Sequence, residues 1–282
     1  MEKYGHIGKH QTRTITIFAA CSIPIYLFVP IWPHIFDVIL AINNSRSRYA
    51  AIYTATEYFV DQEKFSYLIL LHKDAALCIG ATAILATGTM LIAYLKHICG
   101  MFSIASFRIK KAMAINIQQD VNEEKMVIIY KGIICAIDIH RKATEFSQVF
   151  IKSFEGSFFC LIAAGMICVT STLVQIITCN STEQLILQLV YISVLYIYMF
   201  LSIYIAQDIT DHNEYVFATV YNVEWYMAPL HIQKMMLFLL QKGTKAFHLI
   251  LGGIFVASME SAATLMGTSI SYFTVLYSTS TK

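Results

Sequence analysis

The last apolar stretch, from Leu251 to Ser278, constrains the fold of this chain more than any other feature. It covers about 28 residues and carries a single charged side chain, Glu260. At about 1.5 Å per residue, a helix of that length is long enough to cross the hydrocarbon core of a bilayer. The stretch therefore predicts a membrane-spanning helix that ends near Tyr277, with Glu260 close to one interface.

The two faces of this helix differ in their chemistry. One stripe, at steps of three and four residues, carries hydroxyl side chains and one valine: Ser261, Thr264, Thr268, Ser271 and Val275. The opposite stripe is apolar: Phe255, Met259, Met266, Ile270 and Phe273. Hydroxyl groups suit close helix packing, as does the small-residue run of Gly253, Ala257 and Ser261. They also suit the wall of a water-filled path closed by Val275, and residue chemistry alone favours packing.

Four earlier apolar runs are also long enough to span a bilayer. They cover about 14–40, 67–95, 156–179 and 183–206. Of the 282 residues, 57% are hydrophobic and 13% are charged, and a soluble domain usually carries about twice that share of charge. The prediction is an all-α membrane protein, a helical bundle with five spans.

Two long polar segments interrupt the spans. The first, 96–155, contains an amphipathic pattern of isoleucines: Ile128, Ile129, Ile133, Ile134 and Ile137. The second, 207–249, contains another such pattern from Leu230 to Lys245. We expect both to pack together as a cytoplasmic helical layer, with Trp225 and Tyr226 buried in it. The chain then divides into 1–206 with four spans, the layer segment 207–249, and the last helix, 250–278.

The basic residues predict the orientation in the membrane. Of the 20 lysines and arginines, 15 fall in 1–14, 96–155 and 207–249. The positive-inside rule places these segments in the cytoplasm, so the N-terminus lies inside and, after five spans, the C-terminus lies outside. Two glycosylation sequons, at Asn43 and Asn180, then fall in outside loops, which agrees with this orientation.

The sequence offers no pattern typical of catalysis. It has no paired carboxylates or histidines within a span, no phosphate-binding loop and no nucleophile elbow. It has no CxxC or His/Cys metal-ligand spacing, and its net charge of +2 gives no reason to expect nucleic-acid binding. We therefore expect no enzyme activity, no cofactor and no metal. A G-protein-coupled receptor is a competing class, but the inside N-terminus and long basic middle segment argue against it.

Two C-terminal motifs resemble those of insect odorant receptors. SYFTVLYS after GGIFVASMESAATLMGTS is similar to the family's C-terminal signature, and YNVEWYMAPLHIQK is similar to the segment before the last helix. The matching residues there are Tyr221, Trp225, Tyr226, Pro229, Gln233 and Lys234. The resemblance implies a ligand-gated, non-selective cation channel subunit in the plasma membrane. It also implies a heterotetramer with the shared odorant co-receptor, Orco, and it makes the hydroxyl stripe pore-lining.

The resemblance leaves two alternatives. A gustatory-receptor-like channel is the nearest, but that family tends to end in a Tyr-hydrophobic-Gln-Phe pattern and this chain ends in SYFTVLYSTSTK. By motif, the first span here corresponds to the family's third. The resemblance then implies that the family's first two helices are not in this sequence, so a truncated, non-functional copy is the second alternative.

The resemblance also implies an apolar odorant pocket in the outer half of the bundle. The candidates lie at the end of the first span and at the starts of the second and fourth: Ile25, Phe28, Trp32, Leu71, Ala75, Gln188, Tyr191 and Leu195. Shape sets selectivity in such a pocket, so volatile esters, alcohols or cuticular hydrocarbons would suit it equally. The alternative role for each of these residues is ordinary core packing.

Overall fold

The computed structural model describes residues 2–28, 65–114, 123–178, 182–243, 250–251 and 255–280. Trp32 of the predicted ligand site and the two sequons, at Asn43 and Asn180, lie outside these ranges. The chain divides into two compact units, Glu2–Tyr94 and Leu95–Lys282.

Helices account for nearly all of the described residues. In chain order the elements are α1 (Glu2–Phe28), α2 (Ser66–Met113), α3 (Glu123–Thr178), α4 (Thr182–Asn222), a 3-10 turn (Trp225–Met227), α5 (Leu230–Gly243), β1 (Ile250–Leu251), β2 (Phe255–Val256) and α6 (Met259–Ser280). The two short strands pair antiparallel, with Ile250 opposite Val256 and Leu251 opposite Phe255.

Three of these helices are far longer than a bilayer requires. α2, α3 and α4 contain 48, 56 and 41 residues, whereas about 20 apolar residues cross the hydrocarbon core. Each predicted span therefore continues as helix into a neighbouring polar segment. The apolar runs set where α2 and α4 begin and where α3 ends, within one or two residues of the predicted limits.

By length and composition, the described residues contain three helices able to cross a membrane: Leu71–Met113, Glu123–Ile177 and Gln188–Asn222. The sequence predicts five spans. The first predicted span extends from α1 into residues outside the described ranges. α6 is not among the three.

In the first unit, α1 is helical from Glu2, so the polar N-terminal residues belong to the helix. The hydroxyls of Thr14 and Thr16 donate to the carbonyl oxygens of His10 and Thr12, at 2.9 and 2.8 Å. These bonds satisfy the hydroxyl groups inside the helix. On α2, Leu71 and Ile79 are 66% and 70% exposed, which places large apolar side chains on the outside of the unit.

The second unit has a conventional core, and that core lies in the two polar segments. The largest fully buried side chains there are Ile98, Phe102, Ile109, Ile129, Ile133, Ile209, Val216, Val220, Ile232 and Met236. α4 also contacts α5. Segments 96–155 and 207–249 therefore pack together, as their amphipathic patterns predict.

The predicted spans of this unit show the opposite distribution. Phe159, Ile167 and Val190 are 51%, 69% and 54% exposed. Apolar patches of this extent on the outside of a protein indicate contact with a membrane or a partner protein, because their exposure to water is unfavourable.

Two predictions about the polar segments are wrong in detail. Ile129 and Ile133 are buried, but Ile128 and Ile134 are 58% and 41% exposed. The buried line of α3 instead continues through Ala136 and Ala143, which follow at helical spacing. Tyr226 is 60% exposed and Trp225 is only partly covered, because both lie on the short 3-10 turn rather than on a helix face.

The last helix begins later than predicted. The sequence predicts one helix over 250–278, whereas Ile250–Leu251 and Phe255–Val256 are strands and α6 begins at Met259. A pair of glycines at 252 and 253 disfavours helix, and the isoleucine, phenylalanine and valine that follow favour strand. Of the predicted small-residue run, Ala257 precedes α6 and Ser261 lies on it, and Gly253 lies outside the described residues. The 22 residues of α6 still extend about 33 Å, enough to cross a bilayer.

Candidate functional site

The contact between α6 and α3 fixes which side of α6 faces the rest of the unit. Ser269 is 2% exposed and Ala262 is fully buried. The Ser269 hydroxyl donates to the sulfur of Met166 on α3, 3.4 Å away. Met266 and Phe273, on the same side of the helix, are partly covered.

The hydroxyl stripe lies on the other side of α6. Thr264 and Ser271 are exposed, Val275 is 60% exposed, and Ser261 and Thr268 are partly covered. Of the opposite apolar stripe, Met259 and Ile270 are also exposed, and Phe255 belongs to β2. The buried side of α6 is thus narrower than the apolar stripe, and the hydroxyl stripe points away from α3.

Three of the four hydroxyl groups on this stripe donate within the helix, and the fourth, that of Ser261, accepts a hydrogen bond from the Ser258 hydroxyl at 3.0 Å. Thr264, Thr268 and Ser271 donate to the carbonyl oxygens four residues earlier, at 3.1, 2.8 and 2.9 Å. Each hydroxyl proton therefore points back along the helix, and the hydroxyl oxygen turns its remaining lone pairs outward. The result is a row of neutral oxygen acceptors that ends at one apolar side chain, Val275.

The N-terminal end of α6 is capped from two directions. The Ser258 hydroxyl oxygen accepts a hydrogen bond from the Ser261 N–H at 3.2 Å, which is the usual N-cap arrangement. The side-chain oxygen of Gln207, on α4, accepts a hydrogen bond from the Met259 N–H at 2.9 Å. Glu260 lies exposed in the first turn, where the helix dipole favours a negative charge.

The predicted ligand residues fall in both compact units. Leu71 and Ala75 are exposed on α2, and Gln188, Tyr191 and Leu195 are partly covered on α4. Ile25 and Phe28 belong to α1, but their side chains, like Trp32, lie outside the described part of the chain. The odorant pocket remains a prediction.

A partly buried ion-pair cluster joins α2 to α4, and we define it as Lys96, Cys99, Asp208 and His212. The Lys96 ammonium lies 2.6 Å from a carboxylate oxygen of Asp208, and the two side chains are 8% and 23% exposed. His212 Nδ1 lies 3.2 Å from the other carboxylate oxygen and 2.6 Å from the Asp208 carbonyl oxygen. The Cys99 thiol lies 3.8 Å from Asp208.

Three side chains of this cluster have the spacing of a metal site. Cys99, Asp208 and His212 offer ligand atoms that lie within 4.8 Å of one another. However, the Lys96 ammonium occupies one carboxylate oxygen, and a cation bound beside it would be repelled at close range. The arrangement fits a charge-balanced ion-pair network better than a metal site.

A shallow groove of about 390 Å³ lies between α2 and α3. It is lined by His97, Met101, Lys142, Glu145, Phe146 and Val149. None of the predicted ligand residues is among them.

Comparison with known proteins decides the family. The family model of the 7tm odorant receptor matches residues 2–270. The chain belongs to the 7tm odorant receptor family. The predicted resemblance to the odorant receptor family is therefore confirmed, and with it the all-α membrane fold class.

Solved structures share the fold of this odorant receptor chain. The olfactory receptor OR5 of the insect Machilis hrabei in complex with eugenol superposes with a TM-score of 0.71 at 14% identity, over 99% of this chain and 70% of OR5. The structure of OR5 described without that compound gives a TM-score of 0.68 at 14% identity, over 98% of this chain and 69% of OR5. At this level of identity the likeness shows the fold.

Sequence reasoning about this odorant receptor missed four residues that the structure brings together. Lys96 directly follows one apolar run, and Gln207 and Asp208 follow another. His212 lies one helical turn after Asp208 on α4. A charged residue at the end of a span is ordinarily expected to face water. The one indication in the sequence that Lys96 and Asp208 form a pair is that they carry opposite charges at the ends of two spans.

Proposed function

We propose that this odorant receptor chain is a subunit of an odorant-gated, non-selective cation channel. It works in the plasma membrane in a heterotetramer with the co-receptor Orco and serves the sense of smell. The observation that carries the proposal is the hydroxyl stripe of α6, which faces away from α3 while three of its hydroxyl protons are held within the helix. One stripe cannot enclose a path, so several subunits must supply one each around a common axis.

The chemistry of the stripe suits cations. Neutral hydroxyl oxygens replace part of an ion's hydration without binding it tightly enough to trap it. Glu260 is exposed at the start of α6 and would raise the local cation concentration. A ring of Val275 side chains from neighbouring subunits would close a narrow path by excluding water.

The distribution of charge supports one orientation for this assembly. Fifteen of the 20 lysines and arginines lie in 1–14, 96–155 and 207–249, which favours a cytoplasmic position for these segments. The N-terminus is then inside, the C-terminus and Val275 lie towards the outside, and Glu260 lies towards the cytoplasm.

The packed segments offer a surface for assembly. On α5, Ile232 and Met236 are fully buried, while Leu230, Leu237 and Phe238 are 66%, 48% and 62% exposed. A helix that is apolar on both faces needs a second partner. We propose that the outer face of α5 contacts an Orco subunit in the cytoplasmic layer.

The proposed ligand is a small apolar volatile compound. OR5 of Machilis hrabei was solved in complex with eugenol. In this chain Gln188, Tyr191 and Leu195 line one side of α4 at steps of three and four residues and are only partly covered. They would supply the α4 side of an apolar pocket with few polar groups.

The proposal is tested by recording currents from cells that express this chain together with Orco. The compounds are eugenol, hexyl acetate, hexanol and a long-chain cuticular hydrocarbon, and cation substitution in the bath reports the selectivity. We expect at least one compound to evoke a current that reverses near 0 mV with sodium and potassium on opposite sides. Cells with Orco alone provide the background.

A matched pair of tyrosine variants tests the ligand site. Tyr191→Ala should change the order of potency of the compounds, because Tyr191 lies in the proposed pocket. Tyr204→Ala, on the same helix at a position that is 58% exposed, should preserve that order. An unchanged order in Tyr191→Ala would remove Tyr191 from the site, and no odorant-evoked current in the wild-type complex would overturn the proposed function.

A further inference from the structure

Two consecutive residues of α4 hold two different helices. Gln207 accepts a hydrogen bond from the first N–H of α6, that of Met259, at 2.9 Å. Asp208 pairs with Lys96 of α2 at 2.6 Å. Successive residues of a helix point about 100° apart, so one turn of α4 can contact both neighbours at once.

The bond from Gln207 acts on a part of α6 that depends on outside partners. The first N–H groups of a helix have no acceptor within the helix. Here Ser258 supplies the acceptor for Ser261, and Gln207 supplies the one for Met259. The position of the α6 N-terminus is therefore tied to α4 through a side chain of α4 itself.

The contact from Asp208 fixes α4 against α2. Lys96 is nearly buried, and Asp208 also contacts His212 on its own helix. Breaking a buried ion pair leaves an uncompensated charge, which is strongly unfavourable. α4 is thus held at Asp208 while the neighbouring residue holds α6.

We propose that Gln207 is the positioning residue through which α4 moves the N-terminal end of the pore helix α6, with the Lys96–Asp208 ion pair as the fixed contact. The inference rests on the proposed function, because Tyr191 of the proposed odorant site lies on the same helix. The 16 residues from Tyr191 to Gln207 span about 24 Å of unbroken α4. A displacement of α4 by a bound ligand reaches α6 directly through this hydrogen bond.

The bond can be deleted from either side. Gln207→Met keeps the length of the side chain but removes the acceptor. Met259→Pro removes the donor, and proline suits the first position of a helix, where its missing N–H is least needed. Gln207→Glu keeps an acceptor and places a negative charge at a helix N-terminus, which is favourable there. These variants are compared in the complex with Orco, with the four compounds above as agonists and with surface biotinylation as the measure of expression.

We expect Gln207→Met and Met259→Pro each to raise the half-activating agonist concentration at least about fivefold, the lower limit of typical coupling between sites. The double variant should shift it no further than the larger single change, because both delete one bond. Gln207→Glu should respond like the wild type. Agonist binding to purified complex, followed by thermal shift, should be unchanged in all of them, which a general structural defect would not give.

The ion pair is tested beside an exposed one. Lys96→Met should also weaken the response, whereas Arg141→Met, which breaks the exposed contact of Arg141 with Asp138, should not. A wild-type current with an unchanged half-activating concentration in either bond-deleting variant, or additive shifts in the double variant, would overturn the inference. Absence of any current in the wild-type complex would instead overturn the proposed function on which the inference rests. If only one of the two bond-deleting variants reaches the cell surface, that variant alone decides whether the inference holds.

Discussion

His140 on α3 and Asn213 on α4 are joined by a hydrogen bond of 2.9 Å between His140 Nε2 and Asn213 Oδ1. Asn213 is 3% exposed. The imidazole also contacts the rings of Phe102 and Phe217, at centroid distances of 5.4 and 5.2 Å. Three helices of the second unit, α2, α3 and α4, thus meet around this polar pair.

This pair predicts a large effect for a small substitution. Asn213→Ala leaves the partly buried His140 N–H without this acceptor, which should cost about 1–3 kcal/mol of stability. Asn222 is exposed at the end of α4. Asn222→Ala deletes the same amide group where it contacts water, so it should leave the stability nearly unchanged. Thermal unfolding of the detergent-purified chain measures both, and equal melting temperatures for the two variants would contradict the assignment.

The turn between α4 and α5 depends on one side-chain amide. The Gln233 amide nitrogen donates to the carbonyl oxygens of Tyr226 and Ala228, at 2.8 and 2.7 Å. Gln233→Glu keeps the shape of the side chain but replaces the donor with a carboxylate that only accepts. We expect faster proteolysis at 225–229 and a loss of about 1–3 kcal/mol.

Gln148→Glu is the control for the added charge, since Gln148 is exposed on α3. It should be cleaved at the wild-type rate. Identical cleavage of the Gln233→Glu and Gln148→Glu variants would show that the amide does not hold the turn.

Adjacent residues on α5 separate packing from assembly. Met236 is fully buried, and its neighbour Leu237 is 48% exposed. Met236→Ala should destabilise the chain by about 2–5 kcal/mol, because it leaves a cavity. Leu237→Ser should preserve the melting temperature of the isolated chain but weaken co-purification with Orco, because it makes the proposed contact surface polar. Wild-type recovery of Orco with Leu237→Ser together with Phe238→Ser would place the partner elsewhere.

Val275 is predicted to close the path. Val275→Ser should raise the basal current of the co-expressed complex, since a ring of hydroxyls admits water where a ring of valines excludes it. Ile270→Ser is the matched control, because Ile270 is similarly exposed on α6 but lies off the stripe. Currents are compared at equal surface expression. A raised basal current in Ile270→Ser alone would move the constriction to the other face.

Sequence alone predicted the spans better than the contacts between them. Long apolar runs predict where α2 and α4 begin and where α3 ends to within one or two residues, because backbone groups in lipid can be satisfied only inside a helix. They do not predict the opposite end of each helix, which lies in a polar segment. The predicted start of α6 was wrong because two glycines and a β-favouring run precede Met259. Helical periodicity predicted an apolar face on α3. It could not predict that Ile128 and Ile134 lie at the exposed edges of that face, because the width of a buried stripe depends on what packs against it.

The ion-pair cluster could not be predicted from the sequence for a different reason. Lys96 and Asp208 are 112 residues apart, and no local pattern relates them. The hydroxyl stripe, by contrast, was visible from spacing alone, because its members lie on one helix. What the structure adds is the side on which Ser269 packs, and hence the direction in which the stripe points.

Cysteine accessibility along α6 tests the central claim most directly. Thr268→Cys and Ser269→Cys are introduced separately, and the complexes with Orco are opened with agonist. A charged methanethiosulfonate reagent is then applied from the bath. The wild-type complex gives the background reaction of the native cysteines. The account predicts that the reagent blocks the current of Thr268→Cys and leaves that of Ser269→Cys unchanged, because Ser269 is 2% exposed and bonded to Met166. A block at position 269 with no effect at position 268 would show that the hydroxyl stripe does not line the path.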